Sequence, residues 1–551
     1  MPPARRDPRY SAQDVTAIVQ NGESDVDMDF DDTDASDEES DSDACVDKEN
    51  QEPTDCPANV DIEPQSSKHI MPCDRYRWQK KDFISPNTDF SGPALTDDVT
   101  SLHTPLQYFQ KFVSEDMVQA LATNTNEYSI QNHGRSVNTN AKEIQTALGM
   151  YLRMGLVQMP GTRMYWETDT RHPPVADVMS RNRFQSLLTT LHFANNLTVS
   201  ETEKRDKLWK LKPWLDSLRE NCLQVVPEEH NSVDEMMIPF KGKFSCIKQY
   251  MRGKPHPWGF KVWVRAGIPG MMLDFDVYQG SNNGVRVKSE LGLSGDEDEK
   301  SLKKKGRGSF DHRVEGKHNI CAVKWYDNRA VTLVSSFAGP EPVQEIQRWD
   351  KATKTYIDVR RPYIVGTYNK FMGGVDLLDS FTAKYKYALK SRRWYMYIFW
   401  HTITLAVVNA WLLYRRHCQA LKMPKKEILN MRKFQAQLAS SLILVDTTLK
   451  TPKRGRPSSG NGSPDAAGSP LNAGKRASLG DGSPNGPSSK KSCAHPPLDV
   501  RRDLTGHFPL KTKRGRCRHC SKGYTNNQCS KCDVRLCFSE DKNCFWDYHC
   551  K

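Results

Sequence analysis

The sequence SVDEMMIPFKGK, residues 232–243, begins the part of the chain that has strand character. Two runs with alternating apolar and polar residues follow it, GFKVWVR from Gly259 and MLDFDVY from Met272. Successive side chains of a strand point to opposite faces, so this alternation predicts strands with one face in a core. After a charged stretch at 296–308, the runs at 320–326 and 330–336 predict a β-hairpin.

The segments on either side of these strands have helical periodicity. Apolar residues recur at intervals of three and four in residues 105–113, 141–156 and 179–193. This spacing places them on one face of a helix, where they can pack against a core. We therefore predict a helical domain at 104–225 and further helices that close the body by about residue 442.

One stretch is apolar enough to resemble a membrane span. The 21 residues from Trp394 to Tyr414 contain no Asp, Glu, Lys or Arg, and arginines flank both ends. His401, Thr404 and Asn409 lie in its interior and are unfavourable in lipid, and basic residues at both ends give no preferred orientation. We therefore predict a buried core helix and no membrane association.

Charge is distributed unevenly along the chain. Residues 1–66 hold 20 acidic and four basic side chains, whereas the remainder carries a net charge of +28. The acidic segment has few apolar residues to bury, which predicts a disordered tail at 1–75. The excess of positive charge in the remainder is typical of proteins that bind nucleic acid, although lysines scattered over a large surface give the same sum.

The C-terminal cysteines predict a metal-binding domain at 517–551. Seven of the 15 cysteines lie in the last 35 residues, which favours a metal module over a disulfide framework. The candidate ligands are Cys517, Cys520, Cys529, Cys532, Cys537, Cys544, His549 and Cys550. Two Cys-x2-Cys pairs with further soft ligands suit two structural Zn²⁺ ions, whose binding would supply the folding energy. The eighth ligand is Cys550 or His519, the pairing of the ligands stays open, and reduced thiols without metal are the alternative.

Residues 451–516 predict a basic flexible linker, because they are rich in Gly, Pro and Ser and hold 13 basic and four acidic side chains. The motif RGRP at 454–457 is the core of an AT-hook, whose arginines fit the narrow minor groove of A·T-rich DNA. The same residues also suit a nuclear localisation signal. The motif KRGR at 513–516 favours DNA as the partner of the cysteine domain, although such domains also bind histone tails and other proteins. The candidate DNA-binding residues are Arg454, Gly455, Arg456, Lys513, Arg514 and Arg516.

Several of these segments closely resemble the piggyBac transposases. Residues 232–243 resemble the first catalytic segment of that family, and YNKFMGGVDLLD at 368–379 resembles the segment with its last catalytic aspartate. The sequences MSRNRF from Met179 and GRGSFD from Gly306, the helix from Trp394 and the terminal cysteines fit the same family. The resemblance covers about residues 104–551.

The resemblance implies an α/β protein. Its RNase H-like core would occupy residues 226–442, interrupted by an insertion at about 296–365, with a helical dimerisation and DNA-binding domain before it and a small zinc domain after it. In that family three aspartates hold two divalent metals, Mg²⁺ or Mn²⁺, for phosphodiester transfer at the sequence TTAA. By motif, Asp234 would be the first of them and Asp376 the last, and Asp379 is a neighbouring acidic position.

The middle aspartate of the family has no counterpart by motif. Relatives place it in an Asp-Asn-aromatic-Phe-Thr sequence, whereas this chain passes from Gly295 directly to the acidic run at 296–299. Asp327-Asn328 lies in a context that resembles the later insertion region, so the catalytic role is not assigned to Asp327. We predict that a core helix and a strand beside the Asp234 strand are missing, through a skipped exon or a truncated gene model.

Three functions are consistent with these observations. The first is a catalytically inactive nuclear protein that binds double-stranded DNA, as a homodimer by resemblance. The second is an active transposase in which Asp296, Asp298 or Asp327 replaces the missing carboxylate. The third is a zinc-dependent module for chromatin or protein partners, carried on a transposase scaffold.

Overall fold

The computed structural model describes residues 77–90, 92, 99–242, 245, 247–280, 299–446, 495–520, 523–539 and 542–550. The predicted acidic tail, the RGRP motif, Asp296 and Asp298 lie outside these residues.

The helices are α1 Pro105–Gln110, α2 Glu115–His133, α3 Ala141–Leu156, α4 Pro173–Ala176, α5 Arg181–Thr190, α6 Lys212–Leu223, α7 Glu299–Lys305, α8 Tyr363–Phe371, α9 Gly374–Lys384, α10 Tyr395–Ala420, α11 Met431–Leu444, α12 Leu498–Arg502 and α13 Cys544–Cys550. The strands are β1 Trp78–Gln79, β2 Asn231–Pro239, β3 Gln249–Tyr250, β4 Trp258–Gly267, β5 Met272–Val277, β6 Phe310–Glu315, β7 Cys321–Tyr326, β8 Ala330–Ser335, β9 Gln344–Asp350, β10 Thr355–Arg361, β11 Pro509–Arg516 and β12 Tyr524–Cys529.

Helices α1 to α6 confirm the helical character predicted for residues 104–225. Polar caps define where several of them begin. Thr104 forms a reciprocal capping box with Gln107, and the side chains of Ser114, Asn140 and Ser180 each accept a hydrogen bond from a first-turn amide. These caps satisfy amides that have no partner inside the helix, so the apolar faces can pack without burying unpaired donors.

Strands β2 to β5 form an antiparallel sheet in which β4 is central. Strand β2 pairs with one edge of β4 along its whole length, and β3 and β5 pair with the other edge. Among the residues that the structure describes, β2 pairs with no strand besides β4, so its outer edge is open. Val233 on this strand is 68% exposed.

Helix α10 lies in the core, as predicted. It is the one described helix that is long and apolar enough to cross a membrane, and 94% of its most apolar window is buried inside the protein. Its polar side chains bond to the elements packed around it. Asn409 Oδ1 accepts from the amide of Met272 at 2.8 Å, Asn409 Nδ2 donates to the carbonyl of Met272 at 2.7 Å, and Thr402 Oγ1 accepts from Trp214 Nε1 at 2.9 Å.

Strands β6 to β10 form the insertion, which has a hydrophobic core of its own. Val314, Val323, Trp325, Val359 and Ile364 are among its buried residues. The hairpin predicted at 320–336 is confirmed by the pairing of β7 with β8. Strand β1 pairs with β6 far along the chain, an addition that local sequence patterns did not reveal.

The C-terminal domain is larger than predicted. Residues 495–516, which the composition places in the linker, form helix α12 and strand β11, and β11 pairs with β12 among the cysteines. Their basic composition reflects exposure on a folded hairpin instead of a lack of structure.

The bidentate contact of Asn409 leads to a stability prediction. Asn409→Leu keeps the approximate volume but leaves the buried amide and carbonyl of Met272 without their partner, so we expect unfolding to become easier by about 1–3 kcal/mol. Chemical denaturation followed by tryptophan fluorescence measures this change. Gln419→Leu, at an exposed position of the same helix, is the control and should change stability little; an equal loss in both variants would contradict the prediction.

Candidate functional site

Helix α9 brings the second acidic segment against the sheet. A Cβ atom on Gly374 would lie 2.6 Å from the carbonyl oxygen of Gly267 and 2.7 Å from Ser232 Oγ, so the helix packs there because the residue has no side chain. Asp376 and Asp379 follow on the same helix, three residues apart, and Asp376 is exposed. This packing places their helix beside the strand that carries Asp234.

Asp234 lies on β2 opposite Val264 and is half-buried. Its carboxylate oxygen Oδ1 accepts a hydrogen bond at 2.8 Å from the backbone amide of Glu235. The carbonyl oxygen of Glu235 accepts in turn from Lys254 Nζ at 3.3 Å, and that ammonium also lies 3.7 Å from Glu235 Oε1. Side chains therefore satisfy both backbone groups of Glu235.

Two lysines place positive charge among the acidic residues. Partial burial raises the pKa of the Asp379 carboxyl, Lys254 and Lys386 oppose that rise, and the charge of Asp376 adds to it. Burial lowers the pKa of Lys386 to about 8, against the attraction of Asp379. Lys386 Nζ lies 2.8 Å from His401 Nδ1, and burial holds the pKa of His401 well below its usual value. The neutral ring of His401 can therefore accept from this ammonium.

The acidic residues singled out by motif lie outside the close groups of potential metal ligands that the described residues form. Within the described ranges, the groups of three or more His, Cys, Asp or Glu ligand atoms that approach one another closely enough for a metal do not include Asp234, Asp376 or Asp379. Asp327, a possible replacement, instead binds Arg307 at 2.6 Å and Arg348 at 3.5 Å inside the insertion.

The C-terminal domain contains two groups of four ligands that could each hold a metal ion. The groups are Cys517, Cys520, Cys537 and Cys544, and His507, Cys529, Cys532 and His549. Within each group the ligand atoms lie within 4.8 Å of one another. Their order along the chain alternates between the groups, so the two sites would be cross-braced. All-sulfur and mixed sulfur and nitrogen sets of four fit structural zinc, which would hold the small domain together.

The structure places His507, and neither Cys550 nor His519, at the eighth ligand position. Cys550 is exposed and lies outside both groups, which departs from the ligand set predicted from spacing. His507 precedes the cysteine run and belongs to the part of the chain predicted as linker, so spacing among the cysteines carried no signal for it.

Local contacts affect the protonation and orientation of these candidate ligands. A backbone hydrogen bond from Gly523 lowers the pKa of the Cys520 thiol to about 7, which favours the thiolate that binds metal. A Cβ on Gly523 would lie 2.7 Å from Cys537 Sγ, so only glycine leaves room at this turn. On the other side, Asp503 Oδ1 lies 3.0 Å from His507 Nε2, which directs Nδ1 towards Cys529.

Asp503 also links the C-terminal domain to the helical body. Its Oδ2 accepts from the amide of Asp446, just beyond α11, at 2.9 Å, and binds the buried ammonium of Lys531. Nearby, Ser441 Oγ donates to Asp499 Oδ2 at 3.1 Å. One carboxylate thus contacts a candidate metal ligand and the end of the core helices.

Strand β11 displays the predicted basic residues on the surface. Lys513, Arg514 and Arg516 are all exposed, and the structure adds the exposed Lys511 and Arg518 to the same segment. A Cβ on Gly515 would lie 2.6 Å from Arg535 Cδ, so this glycine allows Arg535 to cross the strand and donate to the carbonyl of Lys513.

Comparison with known proteins identifies the family. A family model described as Transposase IS4 matches residues 104–297 and 288–411, more than half of the chain. The human PiggyBac transposable element-derived protein 3 is 27% identical, over 94% of this chain and 88% of that protein. The chain belongs to the piggyBac transposase family. A second human piggyBac relative, PiggyBac transposable element-derived protein 2, is 28% identical over 69% of this chain and 72% of its own.

A solved structure supports the piggyBac fold. The cryo-EM structure of a piggyBac transposase synaptic complex with hairpin DNA superposes with a TM-score of 0.50, at 19% identity, over 63% of this chain and 82% of that one. The fold is therefore that of the RNase H-like piggyBac transposases, with mixed helix and sheet.

The packing of α9 leads to a prediction about two adjacent glycines. Gly374→Ala should destabilise the protein by about 1–3 kcal/mol, because its methyl group would overlap the backbone of β4. Gly373→Ala is the matched control, since a Cβ there would meet no atom within 4 Å. Denaturant unfolding of both variants measures the difference, and equal stabilities would contradict this account of the packing.

Zinc content tests the eighth ligand. We expect two zinc ions per chain by elemental analysis, one for each group of four. His507→Ala should lose the ion of its own group, whereas Cys550→Ser should keep both, because its thiol lies outside the groups. Loss of zinc in Cys550→Ser with retention in His507→Ala would reverse the assignment.

Proposed function

We propose that this chain is a piggyBac transposase-derived nuclear protein that binds double-stranded DNA and does not cut it. The observation that carries the catalytic part is the open outer edge of β2, the strand of Asp234. In an RNase H-like sheet, a further strand beside this one would carry the middle carboxylate. Without that carboxylate, Asp234 and Asp376 cannot together hold two divalent metals.

The contacts at this edge support the same proposal. A paired edge would bond the amide and carbonyl of Glu235 to the next strand, whereas here Asp234 and Lys254 take both roles. One carboxylate oxygen of Asp234 thus already accepts a hydrogen bond from the neighbouring backbone amide. Edge groups that are satisfied in this way also resist pairing with another chain.

The lysines near Asp379 supply positive charge where the family would bind metal ions. Lys254 and Lys386 both interact favourably with the Asp379 carboxylate. Their charge reduces the attraction of the site for a divalent cation. Acidic residues whose charge is balanced by lysines of the same chain are consistent with a structural role.

The family comparison supports a break in the core at the same place. The family model matches in two segments that overlap at 288–297, next to the junction at Gly295 where we predict the missing helix and strand. An internal deletion at that point separates one continuous domain into two matching pieces.

DNA binding is supported by charge and by fold. The basic strand β11 lies on the surface of a compact cysteine domain, and the piggyBac transposase that shares this fold was solved as a complex with hairpin DNA. Exposed lysine and arginine side chains neutralise phosphates and release counterions. Nuclear localisation, association as a homodimer and contact with chromatin proteins belong to the same proposal.

A strand-transfer assay tests the catalytic part. With a TTAA-containing substrate and Mg²⁺ or Mn²⁺, we expect no metal-dependent product from this chain. Product that disappears in Asp234→Asn and in Asp376→Asn would support the active transposase instead. An active piggyBac transposase in parallel shows that the substrate is competent.

Salt-dependent affinity tests the DNA-binding part. Replacing Lys513, Arg514 and Arg516 by alanine should weaken binding to duplex DNA and reduce the slope of log K against log salt by about 0.9 for each lost phosphate contact. Replacing the exposed Lys422, Lys425 and Lys426 removes the same charge from the body and is the matched control. Unchanged affinity in the β11 variant, or no duplex binding by the chain, would favour the zinc-dependent protein-interaction module.

A further inference from the structure

The hairpin of β9 and β10 has two different faces. On the inner face, Ile346 and Ile357 pack against the core of the insertion and Val359 is buried. On the outer face, Glu345, Gln347, Trp349, Tyr356 and Asp358 are exposed. The alternation along each strand is regular, so the outer face is held in place by a packed inner face.

Two aromatic side chains lie together on the outer face. Trp349 and Tyr356 are directly opposite each other in the strand register, and their ring centroids are 5.2 Å apart at an interplanar angle of 70°. Trp349 is 50% exposed and Tyr356 68% exposed. A single exposed aromatic is ordinary on a protein surface, but a cross-strand pair pointing away from its core suggests a binding surface.

Hydrogen bonds and ion pairs hold the strand that carries Trp349. Arg307 donates to the carbonyl oxygen of Trp349 at 3.4 Å and binds Asp350 at 3.7 Å and Asp327 at 2.6 Å. Asp350 also caps the turn by accepting from the amide of Thr353 at 2.9 Å. These contacts hold the backbone beneath Trp349 and at the turn, which limits the backbone entropy that would be lost on binding.

Two lysines lie in the turn next to this pair, each two residues along the chain from one of the rings. Lys351 and Lys354 are exposed in the turn that joins the two strands. A ligand that stacks on the rings would thus bring its own negative charge close to these ammonium groups.

We propose that Trp349 and Tyr356 form a stacking surface for unpaired bases of a single nucleic-acid strand, with Lys351 and Lys354 contacting its phosphates. This surface rests on the proposed DNA-binding function and adds a second ligand form to it. Every base has an aromatic face that stacks on such rings, and the strand supplies the complementary charge. Bases inside a duplex already stack on one another, so they offer no free face to this pair.

Oligonucleotides with and without bases test the proposal. We compare the full chain on a 20-nucleotide single strand with an abasic sugar-phosphate strand of equal length, since both carry the same phosphates. We expect the strand with bases to bind at least about tenfold more tightly, as stacking on aromatic side chains usually provides. Trp349→Ala combined with Tyr356→Ala should remove this preference, whereas Trp349→Phe combined with Tyr356→Phe should largely retain it.

Two further variants separate stacking from charge and from general surface changes. Lys351→Ala combined with Lys354→Ala should weaken binding of both strands equally, because only phosphate contacts are lost. Phe337→Ala removes another aromatic of the insertion, 45% exposed and outside the hairpin, and should change neither affinity. Equal affinity of the wild-type chain for the two strands would overturn the proposal and leave the aromatic pair to a protein partner.

Duplex DNA keeps this test distinct from that of the proposed function. The double alanine variant at Trp349 and Tyr356 should bind duplex DNA as the wild type does, because β11 carries that contact. A preference for bases without duplex affinity would reject the proposed function alone. Duplex affinity without a preference for bases would reject the stacking surface alone. Because both proposed contacts are to bases and phosphates, a ribose strand should show the same preference over its abasic counterpart as the deoxyribose strand does, and loss of that preference on ribose would contradict base stacking as the source of affinity.

Discussion

The structure depends on the burial of helix α10, an apolar helix that carries polar side chains. Burying those groups is favourable only if each finds a partner, because an unpaired polar group in a core costs about 1–3 kcal/mol. Asn409 clamps both backbone groups of Met272, and Thr402 accepts from Trp214. One helix is therefore tied to the sheet on one side and to the helical domain on another, and these specific bonds fix how the layers meet.

The open edge of β2 follows from this arrangement. The other side of β4 is paired with β3 and β5, so any additional strand of the core would have to join beside Asp234. Among the described residues no strand joins there, and the side chains of Asp234 and Lys254 bond to the backbone groups of Glu235 at this edge. One of these side chains, Asp234, is the residue that the sequence resemblance places first among the catalytic aspartates of the family.

The C-terminal domain is stabilised by a different kind of interaction. Its buried cluster consists largely of cysteines, with Val534, Leu536 and Tyr548 as its main other members. Such a small core cannot offset the entropy of folding by itself, so metal coordination would provide the rest. Because Asp503 contacts both His507 and the end of the core helices, the order of this domain is also connected to the body.

The sequence by itself indicated the helical character of residues 104–225, the core helix α10, strands β2, β4, β5, β7 and β8, the family, and seven of the eight residues in the two candidate metal-binding groups. These properties depend on short-range periodicity and spacing, which can be read directly from the amino-acid sequence. Only the tertiary structure decided that His507 completes the second group of ligands, that Lys254 and Lys386 lie beside the acidic helix, and that Trp349 and Tyr356 share an exposed face. These contacts join residues from different elements, so they depend on how strands pair and helices pack, which no local pattern specifies.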